Sequence, residues 1–493
     1  MATHRLFHGA VITPVSVHKA EFWPSALLYV NPRGIIEWIV SDVESSKIQS
    51  VALEKGLVLD ETVDVYELRH GEWLMPGFID THTHAPQFPN IGIGGQYELL
   101  DWLNNVTFPT ESRFEDTKFA ERVYSSVVDR VLNSGTTTCC YYGTLHLEAT
   151  ETLAKIVHNK GQRAFVGKCN MNRNSGSYQE DSTAQSIQRT QTLISSIRAL
   201  SPTSPPLVHP ILTPRFAISC TTELLHALGD LAKQDPTLAI QTHISENVSE
   251  IAFTRELFPE ASSYTDVYKR AGLLTDRTIL AHAVHLSEEE MEVVKCCGSG
   301  ISHCPTSNFY LNSGVARVGE MLDRGLKVGL GTDCSGGFSP SILTAIRDAG
   351  IASKTIGMTA VGSLPSPFAK PHLNGVKPLA TTESDKPTLA NKTLPLSALL
   401  HLSTLGGAQL CNLEHTVGSL EAGKEFDAVW VSVRPEAGNA GVWANLEAAG
   451  EGKGEEMPVD SLEALLEKFF FCGDDRNVRK VWVRGRLVGG VDK

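Results

Sequence analysis

Between residues 75 and 333 the chain repeats one pattern, a short β-rich run followed by a longer stretch with helical spacing, and this repetition limits the folds open to it. Eight strands are expected, at Met75 to Thr83, Thr136 to Tyr142, Arg163 to Asn170, Leu207 to Thr213, Leu238 to His243, Thr278 to His282, Gly300 to Cys304 and Lys327 to Thr332. Helices are expected between and after them, at Ser112 to Leu132, Leu147 to Asn159, Thr221 to Lys233, Ser287 to Cys297 and Pro340 to Lys354, each bounded by Gly, Pro, Ser or Thr. Alternation of this kind builds parallel sheets, and eight units fit an α/β fold of the (β/α)8 TIM-like barrel type.

The flanks differ from this middle. Short strand-like runs occur before residue 70 (Ser25 to Val30, Gly34 to Val40) and again near the end (Asp427 to Val433, Val478 to Val488). Runs at opposite ends of a chain can pair, so a small β-sandwich is expected from 1–72 and 416–493, with the barrel spanning 73–415. Residues 359–392 contain Pro365, Pro367, Pro371, Pro378 and Pro387 among many Ser and Thr, the composition of a surface insertion. A Gly- and Glu-rich stretch from Arg434 to Pro458 is read as a second excursion.

Composition narrows the function. The 493 residues are 42% hydrophobic and 20% charged, as in an ordinary globular protein. The formal net charge of −13 argues against a nucleic-acid partner. The opening MATHRLFHGA lacks the pattern of a secretory signal, and no apolar run reaches membrane-spanning length. The last three residues, Val491-Asp492-Lys493, are no peroxisomal or retention signal. Ten cysteines, including the adjacent pairs Cys139-Cys140 and Cys296-Cys297, do not form a disulfide framework in so long a chain. They are read as reduced thiols of a cytoplasmic protein, and these four as small buried hydrophobes.

The chemistry collects at strand ends. The first expected strand runs into His82-Thr83-His84, and side chains at i and i+2 share a face, so both imidazoles can reach one ion. Imidazole suits Zn²⁺, and a catalytic zinc needs about three or four protein ligands plus an open position. His243 closes the fifth strand with Glu246 three residues later, placed to act as a base. His282 closes the sixth, and Asp333 follows the eighth. Each has a plainer alternative: a strand cap for the histidine pair, a core histidine for His282, a helix N-terminal carboxylate for Glu246, an N-cap for Asp333. Their succession at the rim where barrel enzymes place their active sites outweighs the alternatives.

Two other motifs carry less. His146-Leu147-Glu148 matches half of a cytidine-deaminase type of zinc site, but the chain has no Pro-Cys dipeptide to supply the other half. Gly92-Ile93-Gly94-Gly95 lacks dinucleotide-loop spacing and is read as a flexible active-site loop.

The ordered set His-x-His, His, His, Asp resembles the metal-dependent amidohydrolase superfamily over nearly the whole chain. Narrower stretches resemble its guanine deaminases: PGFIDTHTHAPQFPNIG (76–92), LLDWLNNVTFPTE (99–111), GQRAFVGK (161–168), TPRFAISC (213–220), THISEN (242–247), HCPTSN (303–308), GLGTDCSGG (329–337), TLGGAQ (404–409) and GDDRN (473–477). The resemblance implies a homodimer with one zinc per subunit, held by His82, His84, His243 and Asp333. It implies hydrolysis of guanine, with Glu246 and Asp333 moving protons and His282 orienting the water or the developing tetrahedral centre. His84, Gln87, Arg215, Phe216, His243, Glu246 and Asp333 are then the residues expected around the substrate, with the Arg215 guanidinium suited to the O6 carbonyl. Another aminopurine, a pterin or a triazine remains an alternative substrate, and an inactive scaffold a further alternative. Thr306 stands where asparagine is expected and Cys334 where a small apolar residue is usual, and 359–392 reads as an insertion relative to the family. None of these removes a proposed ligand.

Overall fold

The computed structural model describes residues 3–202, 205–362, 388–446 and 458–493, of 360–362 the backbone only. Most of the proline-rich stretch, 363–387, and part of the Gly- and Glu-rich one, 447–457, lie outside the described residues.

Eight parallel strands in chain order form the barrel wall: β1 (Phe78–His84), β2 (Thr136–Tyr142), β3 (Arg163–Gly167), β4 (Val208–Pro214), β5 (Ala239–Ile244), β6 (Thr278–His282), β7 (Gly300–His303) and β8 (Lys327–Leu330). β1, β2, β3, β5 and β6 are buried at every residue, as strands covered on both faces must be. Between β8 and β1 the seam is closed mainly by side chains and by the backbone just past the strand ends. Thr81 Oγ1 donates to the Leu330 carbonyl at 2.8 Å, and the Asp333 N–H donates to the His82 carbonyl at 2.8 Å. Gly331 permits this approach, since a Cβ there would lie 2.6 Å from Ser302 Oγ and 2.9 Å from His82 Cβ. The seam therefore sets two ligand-bearing segments side by side.

Helices cover the outside, and their ends follow the capping residues. Ser287 and Glu290 form a capping box before Glu288–Cys296, the Thr221 side chain caps Thr222–Gln234, and Gly161 in the left-handed conformation (φ 78°) ends Leu147–Lys160. The helix expected from Ser112 begins instead at Thr117, because the Asp116 carboxylate caps it and residues Ser112–Glu115 form a separate 3-10 turn. The expected third strand breaks after Gly167: buried Lys168 turns its ammonium to Glu180 at 2.6 Å, and Cys169–Asn170 resumes pairing only with the end of β4.

The short strands at the two ends of the chain join in one eight-stranded sheet, through antiparallel pairing of Glu72–Pro76 with Ala428–Ser432. The sheet curls on itself, so that Phe7 from the first strand meets Trp482 from near the far edge at a ring separation of 5.4 Å, with Phe426 and Tyr66 beside them. The expected run Val478 to Val488 is a hairpin turned at Arg484 and Gly485 (φ 45° and 70°). Arg163, at the start of β3, ties this sheet to the barrel through Asp427 at 3.0 Å and Glu425 at 2.5 Å, at the end of the barrel remote from the site.

All ten cysteines are free. Cys139 and Cys140 are buried as expected, whereas Cys296 is exposed and Cys297 half-buried. The expectation for the second pair is corrected: it closes a surface helix, with Cys297 at the C-cap beyond its last turn. Among the described residues no helix is long and apolar enough to cross a membrane.

Candidate active site

Four side chains expected as ligands converge at the C-terminal ends of the strands. His82 and His84 come from β1, His243 from β5, and Asp333 from just beyond β8, and one donor atom from each lies within 4.8 Å of all the others. His82 Nε2 is 3.1 Å from Asp333 Oδ1, His84 Nε2 is 3.4 Å from the same oxygen, and the Nε2 atoms of His84 and His243 face each other at 3.1 Å. His243 Nδ1 donates to the Arg215 carbonyl at 2.5 Å, which leaves its Nε2 lone pair aimed into the cluster. Three buried imidazoles and a carboxylate at this spacing fit a divalent metal.

A second group overlaps the first. His282 Nε2 lies 3.4 Å from Glu246 Oε2 and 3.7 Å from Asp333 Oδ2, while its Nδ1 meets Asn308 Oδ1 at 2.9 Å. With Nδ1–H donating to Asn308, the inward nitrogen of neutral His282 is an acceptor. Ser245, His282 and Asp333 all adopt left-handed backbone (φ 48°, 72° and 45°). Non-glycine residues held there cost about 1–3 kcal/mol each, and such strain gathers at functional sites. Here it turns the chain sharply at each strand end, so that successive groups face one centre.

Burial governs the electrostatics. It drives the His82 pKa down to about 3 and that of His282 to about 4, and it holds His84 and His243 well below the ordinary value, so that the ligands are neutral and free to coordinate. Burial, followed by the charges of Asp333 and Glu250, raises Glu246 well above the usual carboxylate range.

The same depressed histidines predict acid instability. Away from the cluster, burial lowers His303 to about 3 and His209 and His401 to about 4. Groups with folded pKa values below 6.5 bind more protons when unfolded, so their contribution is present above pH 6.5 and is lost as pH falls toward 4. Raised carboxylates at Asp80, Glu246 and Glu250 act in the opposite sense, but the buried histidines outnumber them, so metal-free protein followed by urea denaturation is expected to lose stability on balance between pH 7 and pH 5. A flat profile would contradict the neutral, buried assignment.

Beside the cluster lies a cavity lined by His84, Gln87, Arg215, Phe216, His243, Glu246 and Asp333 together with Leu99, Trp102, Leu103 and Leu311. Every residue expected around the substrate is therefore on its wall. The glycine loop sits next to it, with Trp102 Nε1 donating to the Ile93 carbonyl at 3.4 Å.

Sequence reasoning missed three polar residues. Asp80 accepts from the backbone N–H groups of His82 and Thr332 at 3.2 and 3.0 Å and joins the seam below the ligands; burial pushes its pKa up to about 7. It shares the i, i+2, i+4 face with His82 and His84, so a signal was present. Asn308 and Glu111 each end a quoted motif, HCPTSN and TFPTE, but nothing local marks either as reaching the site.

The family model described as "Amidohydrolase family" matches residues 73–364 and 377–488. A guanine deaminase of Dictyostelium discoideum is 40% identical over 98% of both chains, and a probable guanine deaminase of Schizosaccharomyces pombe is 44% identical over 96% of this chain and 84% of its own. The crystal structure of guanine deaminase from C. acetobutylicum, with bound guanine in the active site, superposes with a TM-score of 0.80 at 30% identity, covering 98% of this chain and 99% of that one.

Proposed function

The chain belongs to the amidohydrolase family, and on that premise we propose that it hydrolyses guanine to xanthine and ammonia, using one zinc held by His82, His84, His243 and Asp333. The observation that carries this is the meeting of that donor set with Glu246 and His282 at the mouth of a cavity whose polar wall is Gln87 and Arg215. Zinc in such a set would supply Lewis acidity, bringing the pKa of a water in the site down toward about 7.

The remaining steps fall to the chain's own residues. Arg215 and Gln87 hold the base by its polar edge, and Phe216, Leu99, Trp102, Leu103 and Leu311 keep bulk water from its faces. Glu246 takes the proton of the attacking water and passes it to the ring nitrogen beside C2 as the C2–O bond forms. Asp333 shares this transfer, and His282, accepting at Nε2, aligns the water. The proton of the new C2 hydroxyl is then carried by Glu246 or Asp333 to the exocyclic nitrogen, so that the C2 carbonyl forms as the C2–N bond breaks and ammonia leaves. The resemblance also supports a homodimer in the cytoplasm, for which the mass in solution is the test.

Ammonia release measured against guanine, adenine, a 2-aminopterin and an aminotriazine tests the substrate. Guanine is expected to exceed the others in kcat/KM by at least about 10²-fold, since pocket donors left unpaired by a mismatched ring cost that much or more. Preference for another member of the panel would keep the fold and metal but overturn guanine. No activity from the zinc-loaded protein on any of them would favour an inactive relative.

A further inference from the structure

The cavity's two polar donors share one acceptor that does not itself line the cavity. Glu111 is 0% exposed, and its carboxylate receives Arg215 Nη1 at 2.7 Å on Oε2, with Arg215 Nη2 at 3.1 Å and Gln87 Nε2 at 2.9 Å on Oε1. Gln87 is clamped from its other side as well, because its Oε1 accepts the Ser335 N–H at 3.2 Å. Its amide can therefore sit only one way round, with the nitrogen toward the Glu111 carboxylate and the oxygen toward the Ser335 N–H. Arg215, 2% exposed, is gripped bidentately, and its guanidinium lies 5.4 Å over the Phe108 ring.

The same segment builds both wall and clamp. The helix Leu99–Trp102 passes through a π-helical turn, Leu103–Thr107, into Phe108–Glu111, bringing Leu99, Trp102 and Leu103 to the cavity and Glu111 behind it. π-helical turns of this kind are frequent at functional sites.

We propose that Glu111 is the positioning residue that decides which purines the pocket accepts: it fixes Gln87 and Arg215 in one array and cancels the Arg215 charge, so that the cavity takes a neutral aminopurine and lets go of an anionic one. This inference rests on the guanine reading. Xanthine, with carbonyls at both C2 and C6, ionises far more readily than guanine. A guanidinium without its carboxylate would attract the xanthine anion and retard its release.

The test compares Glu111→Gln and Glu111→Asp with the wild type, each zinc-loaded and with its melting temperature recorded. At about pH 8 inhibition by xanthine, largely anionic, is measured against hypoxanthine, which is neutral. Glu111→Gln is expected to raise KM for guanine at least about tenfold, as removal of one partner of a buried charge pair should, and to shift the xanthine-to-hypoxanthine inhibition ratio about tenfold toward xanthine. Glu111→Asp keeps the charge but shortens the arm, so it is expected to raise KM while leaving the ratio unchanged, and it carries the test alone if the glutamine variant does not fold. Unchanged KM in the aspartate variant, or an unchanged inhibition ratio in a folded glutamine variant, would overturn the proposal. Failure of the guanine reading shows separately, as a wild-type protein that releases no ammonia from guanine.

Discussion

Glu246→Gln is expected to keep a full complement of zinc while losing at least about 10² in kcat, the range that general acid-base groups contribute. The variant separates proton transfer from metal binding because Glu246 is absent from the four-residue donor set, yet its Oε2 lies 3.4 Å from His282 Nε2 and it shares the cluster with Asp333. An amide of nearly the same shape fills the same space. It cannot take a proton from water and return it to the ring. KM should move little, since Arg215 and Gln87 are untouched. Turnover within a few-fold of the wild type would remove Glu246 from the proton path and shift that role to Asp333 or His282.

His82→Ala is expected to have the larger effect. His82 lies at the bottom of the donor set, fully buried, with Nε2 3.1 Å from Asp333 Oδ1 and its ring 4.7 Å from both the Tyr142 and His243 rings. Removing it takes away one of four donors. A lost Lewis acid forfeits several kcal/mol of transition-state stabilisation, and each 1.36 kcal/mol is tenfold, so turnover should fall by at least about 10³. Zinc per chain should fall well below one in parallel, which elemental analysis of the purified variant reads directly. Full zinc occupancy with low activity would instead make His82 a packing residue.

Much of this site was legible because each functional group ends a β-rich run. His84, His243 and His282 each close or nearly close a strand, Asp333 follows β8, and barrel topology brings those ends to one rim whatever their separation in sequence. Glu111 was not legible for the opposite reason. Its partners lie 24 and 104 residues away, and a lone glutamate on a four-residue helix has no periodic signature. The break after Gly167 was hidden too: a lysine inside an apolar run reads as a strand residue until its buried partner, Glu180, is seen. Pairing between the two ends of the chain was foreseeable from their short strands. The curl that brings Phe7 onto Trp482 was not, since it depends on twist accumulated over a sheet of eight strands.

Whether these converging residues form a zinc site for guanine is read from one sample of the purified protein. The fall in guanine absorbance is followed with ammonia release, before and after zinc is stripped by a chelator and restored. Stoichiometric conversion to xanthine is expected with close to one zinc per chain, with loss of activity on stripping and recovery on adding zinc. Guanine left intact by protein carrying one zinc per chain would contradict it.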